Sequence, residues 1–145
     1  MNFEIYEPLR DLFLNQKEAL ETQSGKVNLV EHKALGNCLN CMEYMENYHI
    51  DLDLSEISLE VVDIMLKAAH EAIEEDEFDH LDRYIDMFAG YVSMVIVTNL
   101  KGEFAYNDEG ETVYLEGNHL NIQKIISHCI HQNTSVLAYY QTLKQ

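Results

Sequence analysis

The sequence predicts a mostly helical α+β domain: five or six helices and one β-hairpin near residues 103–115, forming a single globular domain over residues 1–145. Two patterns inside one stretch carry that expectation. Between Leu81 and Asn99, the residues Leu81, Tyr84, Ile85, Phe88, Val92, Val95, Ile96 and Asn99 recur at three- and four-residue steps, which is the period of one helical face. Met87, Ala89, Met94 and Val97 make the flanks apolar as well, so this helix should be the buried central one. After Gly102 the period drops to two. Phe104 and Tyr106 then face Val113 and Leu115 across Asn107-Asp108-Glu109-Gly110, a loop whose glycine can take positive φ. Gly90 sits mid-helix, where glycine costs about 1 kcal/mol relative to alanine, so another backbone is expected to approach closely there.

The other elements follow in order. Glu7-Pro8 should open a first helix with Leu9, Leu12, Phe13, Gln16 and Leu20 as a modest stripe, ended by Ser24-Gly25. A second helix is expected from about Glu31 to Tyr48, with Leu35, Cys38, Leu39, Met42 and Met45 inward, then a linker from Asn47 to Ser55. Ser55 or Ser58 can cap a third helix whose inward residues are read as Val61, Val62, Met65, Ala68, Ala69 and Ile73. Glu74-Glu75-Asp76-Glu77 breaks the pattern before the central helix starts near Asp79. Beyond the hairpin, Gly117-Asn118 turns the chain. Ile122, Ile125, Ile126, Cys129 and Ile130 then predict a short buried helix. Asn133 or Thr134 should cap a last helix with Val136, Leu137, Tyr140 and Leu143 inward.

Composition narrows the function. At 145 residues and 47% hydrophobic with a single proline, the chain can bury a core without disulfides. Its three cysteines fit reduced thiols, no stretch is apolar enough to span a bilayer, and the acidic N-terminus does not resemble a signal peptide. A cytoplasmic protein is expected. Nine basic residues stand against 26 acidic ones, for a formal charge of −17. That charge is concentrated between residues 43 and 116, where the only bases are Lys67, Arg83 and Lys101. Such a field repels nucleic acid and anionic lipid and draws basic partners.

Within that region Glu71, Glu74, Glu75, Asp76, Glu77, Asp79 and Asp82 form a ridge with no base among them, and Asp108, Glu109 and Glu111 crowd the hairpin. A solvated helix end accounts for such a run, while a docking surface for a cationic partner gives its size a use. Tyr106 and Tyr114 in the hairpin could anchor that interface, because tyrosine combines apolar area with a polar tip. No Asp-x-Asp-x-Asp-Gly calcium loop is present.

Cys38-x-x-Cys41 with Cys129 and His131 can be written as a zinc set. Cys38 and Cys129 each fall on an apolar stripe, however, and the segment lacks the turn residues of a zinc knuckle, so packing is the simpler account. The histidines form no HExxH or His-x-Glu pattern; His70-Glu71, His80-x-Asp82 and His128-x-x-His131 come nearest. There is no glycine-rich phosphate loop and no nucleophile elbow, hence no positive mark of an enzyme and no cofactor to expect.

The segments SEISLEVVDIMLKAA, FAGYVSMVIVTNLKGEF and GNHLNIQKIISHCI resemble, over about 90 residues, a widespread group of small bacterial domains. Those domains carry a Gly-x-Tyr-x-Gly-Glu-Val-Ile-x-x-Asn-x-Gly-Gly-x-Trp pattern, then a hairpin and a short helix. Tyr91, Val95, Ile96, Asn99, Gly102 and Phe104 occupy matching places. Ser93-Met94 replace the Gly-Glu pair, Lys101 a glycine, Phe104 the tryptophan, and Ile122-Gln123 an expected Pro-Phe. Groups of this kind often look like immunity proteins encoded beside secreted antibacterial toxins. The resemblance therefore implies a binding protein that neutralises a cognate basic toxin domain, with no nucleic acid or membrane as partner. The alternatives are a nucleic-acid-mimicking inhibitor, the zinc protein or enzyme, and a plain helical scaffold.

Overall fold

The chain folds as α1 (Phe3–Thr22), α2 (Leu29–Glu46), α3 (Ser58–Glu74), α4 (Leu81–Leu100), β1 (Glu103–Asn107), β2 (Gly110–Leu115), β3 (Asn118–Leu120), α5 (Ile122–Gln132) and α6 (Val136–Leu143), in a computed structural model that describes Met1–Gln145. The expected α+β architecture is present, with six helices. The sheet differs by one strand. It is antiparallel in the order β1-β2-β3, because Glu116 and Gly117 both take positive φ and make a two-residue turn that folds Asn118–Leu120 back onto β2. Three residues are too few to show an alternating pattern, so the sequence offered no sign of this strand.

Helix α4 is the hub. It packs most extensively on α2 and next on α5, and it is buried continuously from Phe88 to Ile96. Gly90 makes the α2 contact possible, lying against the backbone at Ala34 and Cys38. The inward residues expected of α2 are all buried, and Cys41 joins them. Asn28 caps that helix by accepting from the Glu31 N–H at 3.1 Å.

The segment after α2 is stitched to α4 rather than left as a loose linker. Leu52 and Leu54 enter the core, and the Leu54 N–H donates to the Tyr91 hydroxyl at 2.9 Å. That hydroxyl lies 2.7 Å from Ser58 Oγ, which itself donates to the Ser55 carbonyl. Asn99 donates back to the Leu54 carbonyl at 2.8 Å, so two positions on α4 fix the entry to α3.

Helices α1, α3 and α6 differ from expectation in particular details. Helix α1 begins at Phe3 rather than at Glu7-Pro8, since Pro8 removes only one donor near the start and Tyr6 anchors the first turn through Glu43 at 2.5 Å. The buried face of α3 is Leu59, Val62, Leu66 and Ala69; Val61, Met65 and Ile73 are half-buried and Ala68 is exposed, because α3 packs on α5 and α6 along a rotated stripe. The cap of α6 is Ser135, not Asn133 or Thr134. Its hydroxyl accepts from the Ala138 N–H and donates to Asp63 of α3, which also accepts from the Val136 N–H at 2.7 Å. No helix is long and apolar enough to cross a membrane.

Candidate functional site

The acidic ridge is a sharp corner between α3 and α4. Asp76 and His80 adopt left-handed backbone conformations, and the Glu77 N–H reaches back to the Ala72 carbonyl, closing the end of α3. Half-buried Phe78 pins the loop by packing edge-on against Tyr84, with ring centroids 5.0 Å apart. Everything else in the corner faces water. Glu71, Glu74, Glu75, Asp76, Glu77, Asp79 and Asp82 are all exposed, and none pairs with a lysine or arginine. Glu74 alone has a partner, His70 Nε2 at 3.1 Å.

The hairpin acids differ from those of the ridge. Glu111 pairs with Lys33 at 2.5 Å and Glu109 with Lys124 at 3.1 Å, so both are tied to neighbouring helices, and Asp108 is left free at the tip. The Glu111 carboxylate holds the Lys33 ammonium above its usual value.

Ridge and hairpin meet across an open trough of about 500 Å³ between α4, the hairpin tip and α5. Asp82 contributes from the ridge and Glu109 from the tip, with Asp86, Gln123 and Lys124 between them. Asp86 was absent from the residues expected at the site. It stands one turn after Asp82, and that i, i+4 spacing was the available signal.

On the other flank of α4 lies a more apolar groove of about 270 Å³, walled by Tyr44, Phe78, Tyr84 and Met87, with Asp79, His80 and Arg83 at its rim. Burial first, and then the neighbouring Tyr48 hydroxyl, push the Tyr44 phenol up to about 12. Tyr48 itself is 52% exposed. Tyrosine is therefore exposed beside the ridge as well as in the hairpin, where Tyr106 is the most exposed.

The two hairpin tyrosines do not share a surface. Register pairs Phe104 with Val113, Tyr106 with Glu111, and Glu103 with Tyr114. Tyr106 thus projects on the Phe104 face and Tyr114 on the opposite one, where it packs against His119 at 5.0 Å. Tyr106 is 70% exposed and opposes Glu111 rather than Val113 or Leu115.

Other acids counted into the field have structural partners. Asp63 caps α6, Asp53 accepts from Ser55, and Glu56 pairs with Lys144 at 3.1 Å. The residues of the zinc set do not converge. Cys38 and Cys41 are sealed within α2, where burial pushes both thiols up, while His131 is exposed at the end of α5. No three His, Cys, Asp or Glu side chains anywhere lie together as a metal site would require.

Architecture and surface together define a mostly helical α+β domain with an unneutralised acidic corner and two grooves flanking its central helix. Comparison with protein-family models, with curated proteins and with solved structures finds no match to this chain.

Proposed function

We propose that this chain is an acidic binding protein that neutralises a cognate basic protein, acting in the bacterial cytoplasm as an immunity protein against an antibacterial toxin such as a nuclease. One observation carries the reading: the seven ridge carboxylates are exposed and unpaired with any lysine or arginine. Concentrating like charge that way opposes folding through self-repulsion, so the arrangement calls for a use. A basic partner supplies one. The ridge would steer the encounter, and the neighbouring Tyr44, Tyr48 and Phe78 would contribute apolar contact once the surfaces meet.

The test is co-expression with the product of an adjacent toxin gene, followed by stopped-flow association of the purified pair. Rescue of growth, with an on-rate that falls steeply between 50 mM and 500 mM salt, is the expected result. Rescue with an on-rate indifferent to salt would remove the ridge from the mechanism, and a failure to bind any basic protein encoded alongside would remove the reading altogether.

A further inference from the structure

Behind the trough, and joined to it through Asp86 and Gln123, a narrower cleft of about 40 Å³ opens between α2, α4 and the hairpin. A buried water needs roughly 10–15 Å³ by the same measure, so the cleft accommodates a group of a few heavy atoms. Gly90, which packs directly against α2, forms part of its wall. Asp86 stands four residues before that glycine and Ser93 three residues after, so all three lie on one face of α4, toward α2.

The polar groups in its wall are mostly acceptors, and several are unused. Ser93 is only 8% exposed, and its hydroxyl makes no hydrogen bond within the protein, not even to the carbonyl one turn back. Asn37, half-buried across the cleft, likewise makes no side-chain hydrogen bond. Asp86 uses one carboxylate oxygen, accepting from Gln123 at 2.5 Å, and the other is free. Glu111 faces Lys33 at the mouth. Two carboxylates against one ammonium leave the cleft one negative charge in excess.

We propose that this cleft binds a guanidinium group, the side-chain head of one arginine of the basic partner. The assignment rests on the function proposed above and gives it a specificity pocket. A guanidinium presents five N–H donors in one plane and can serve more than one of the acceptors in the wall, the free Asp86 oxygen, the Asn37 carbonyl and Ser93 Oγ. An ammonium is a compact, strongly hydrated point charge, and Lys33 already supplies one at the mouth. An anion would face the excess negative charge. Phe104 and Ile122 provide the apolar wall that excludes water once the group is seated.

The experiment titrates the ¹⁵N-labelled full chain with N-acetyl-arginine amide, using the N-acetyl amides of citrulline (the uncharged isostere) and of lysine as comparisons. Saturable millimolar shifts centred on Asn37, Gly90, Ser93 and Thr112 are expected from the arginine compound alone. Asp86→Asn should weaken the interaction about tenfold and Ser93→Ala about threefold, equivalent to roughly 1.4 and 0.6 kcal/mol. Ser93→Ala removes a single oxygen, so it remains informative if Asp86→Asn disturbs the fold. Shifts confined to the ridge, equal binding of citrulline or lysine, or a Ser93→Ala variant that binds unchanged would overturn the assignment. If arginine amide fails while a basic partner still binds with strong salt dependence, the cleft assignment falls alone. If arginine amide binds here and no basic protein partner exists, the cleft stands and the immunity reading falls.

Discussion

Gly90 and Ala34 meet backbone to backbone: a methyl group on Gly90 would lie 2.8 Å from the Ala34 carbonyl oxygen, and 2.9 Å from the amide nitrogen of Cys38. That approach sets the spacing of α2 and α4, the largest packing contact in the molecule.

Replacing Gly90 by alanine is therefore expected to destabilise the protein. On an isolated helix the change would gain about 1 kcal/mol. Here the methyl group meets backbone, which cannot rotate away, and overpacking of this kind typically costs about 1–3 kcal/mol. The urea midpoint of Gly90→Ala should fall, with broadening of the amide resonances of Ala34–Cys38. A midpoint at or above that of the parent would mean that α2 and α4 can separate freely.

Asp63 holds α6 in place from α3, accepting from both Ser135 Oγ at 2.5 Å and the Val136 N–H at 2.7 Å. Asp63→Ala leaves the first turn of α6 without that acceptor and should cost about 0.5–2 kcal/mol, the range for a lost N-cap. Hydrogen exchange localises the effect. The amides of Val136–Leu143 should lose protection well before those of α4, and uniform loss across both helices would show that α6 does not open on its own.

The elements found correctly from sequence are those whose packing is one-sided or complete. Leu35, Cys38, Leu39, Met42 and Met45 repeat strictly because α2 presents one face to α4, and α4 is apolar all round because neighbours surround it. Gly90 signalled its close contact by being costly where it stands. Helix α3 misled because apolar residues cover more than its buried stripe: Ile64 is 67% exposed on the same helix that buries Leu66. Nor could sequence place the cleft. Its Lys33, Asp86 and Glu111 lie on three elements, and only the register of β2 against β1 and the docking of α4 bring them together. The ridge was legible because it is local.

Alkaline pH should unfold the protein through its buried thiols and phenols. Burial raises Cys38 and Cys41 above the ordinary thiol value of 9.0, and likewise raises Tyr84 and Tyr91 above 10.0. In each case the native state holds its proton more tightly than the unfolded chain. These groups thus contribute full stability below the unfolded value, and the contribution is lost as pH rises through and beyond it. The urea midpoint should hold level from pH 7 to 8, decline from about pH 9 as thiols ionise in the unfolded chain, and steepen above about pH 10 as tyrosines join. In Cys38→Ala/Cys41→Ala the first part of that decline should shrink to what buried Cys129, whose thiol is also pushed up, contributes. A midpoint level to pH 11 would contradict the burial of these groups.

The ridge makes the opposite kind of prediction, since removing its charge should help the fold while harming association. Glu75, Asp76 and Glu77 are exposed, have no partner, and sit within a run of like charge. Exposed like charges crowded together repel one another, and that repulsion is screened within about 10 Å at 0.1 M. Glu75→Gln/Asp76→Asn/Glu77→Gln should therefore raise the thermal midpoint in 10 mM buffer and show no advantage in 500 mM NaCl. Asparagine at position 76 tolerates the left-handed backbone found there, so the substitution isolates charge from conformation. The same variant should associate more slowly with the proposed basic partner at low salt, with little change in dissociation rate, because peripheral charge acts mainly on the encounter. Greater stability with an unchanged on-rate would make the ridge a solvated helix end and nothing more.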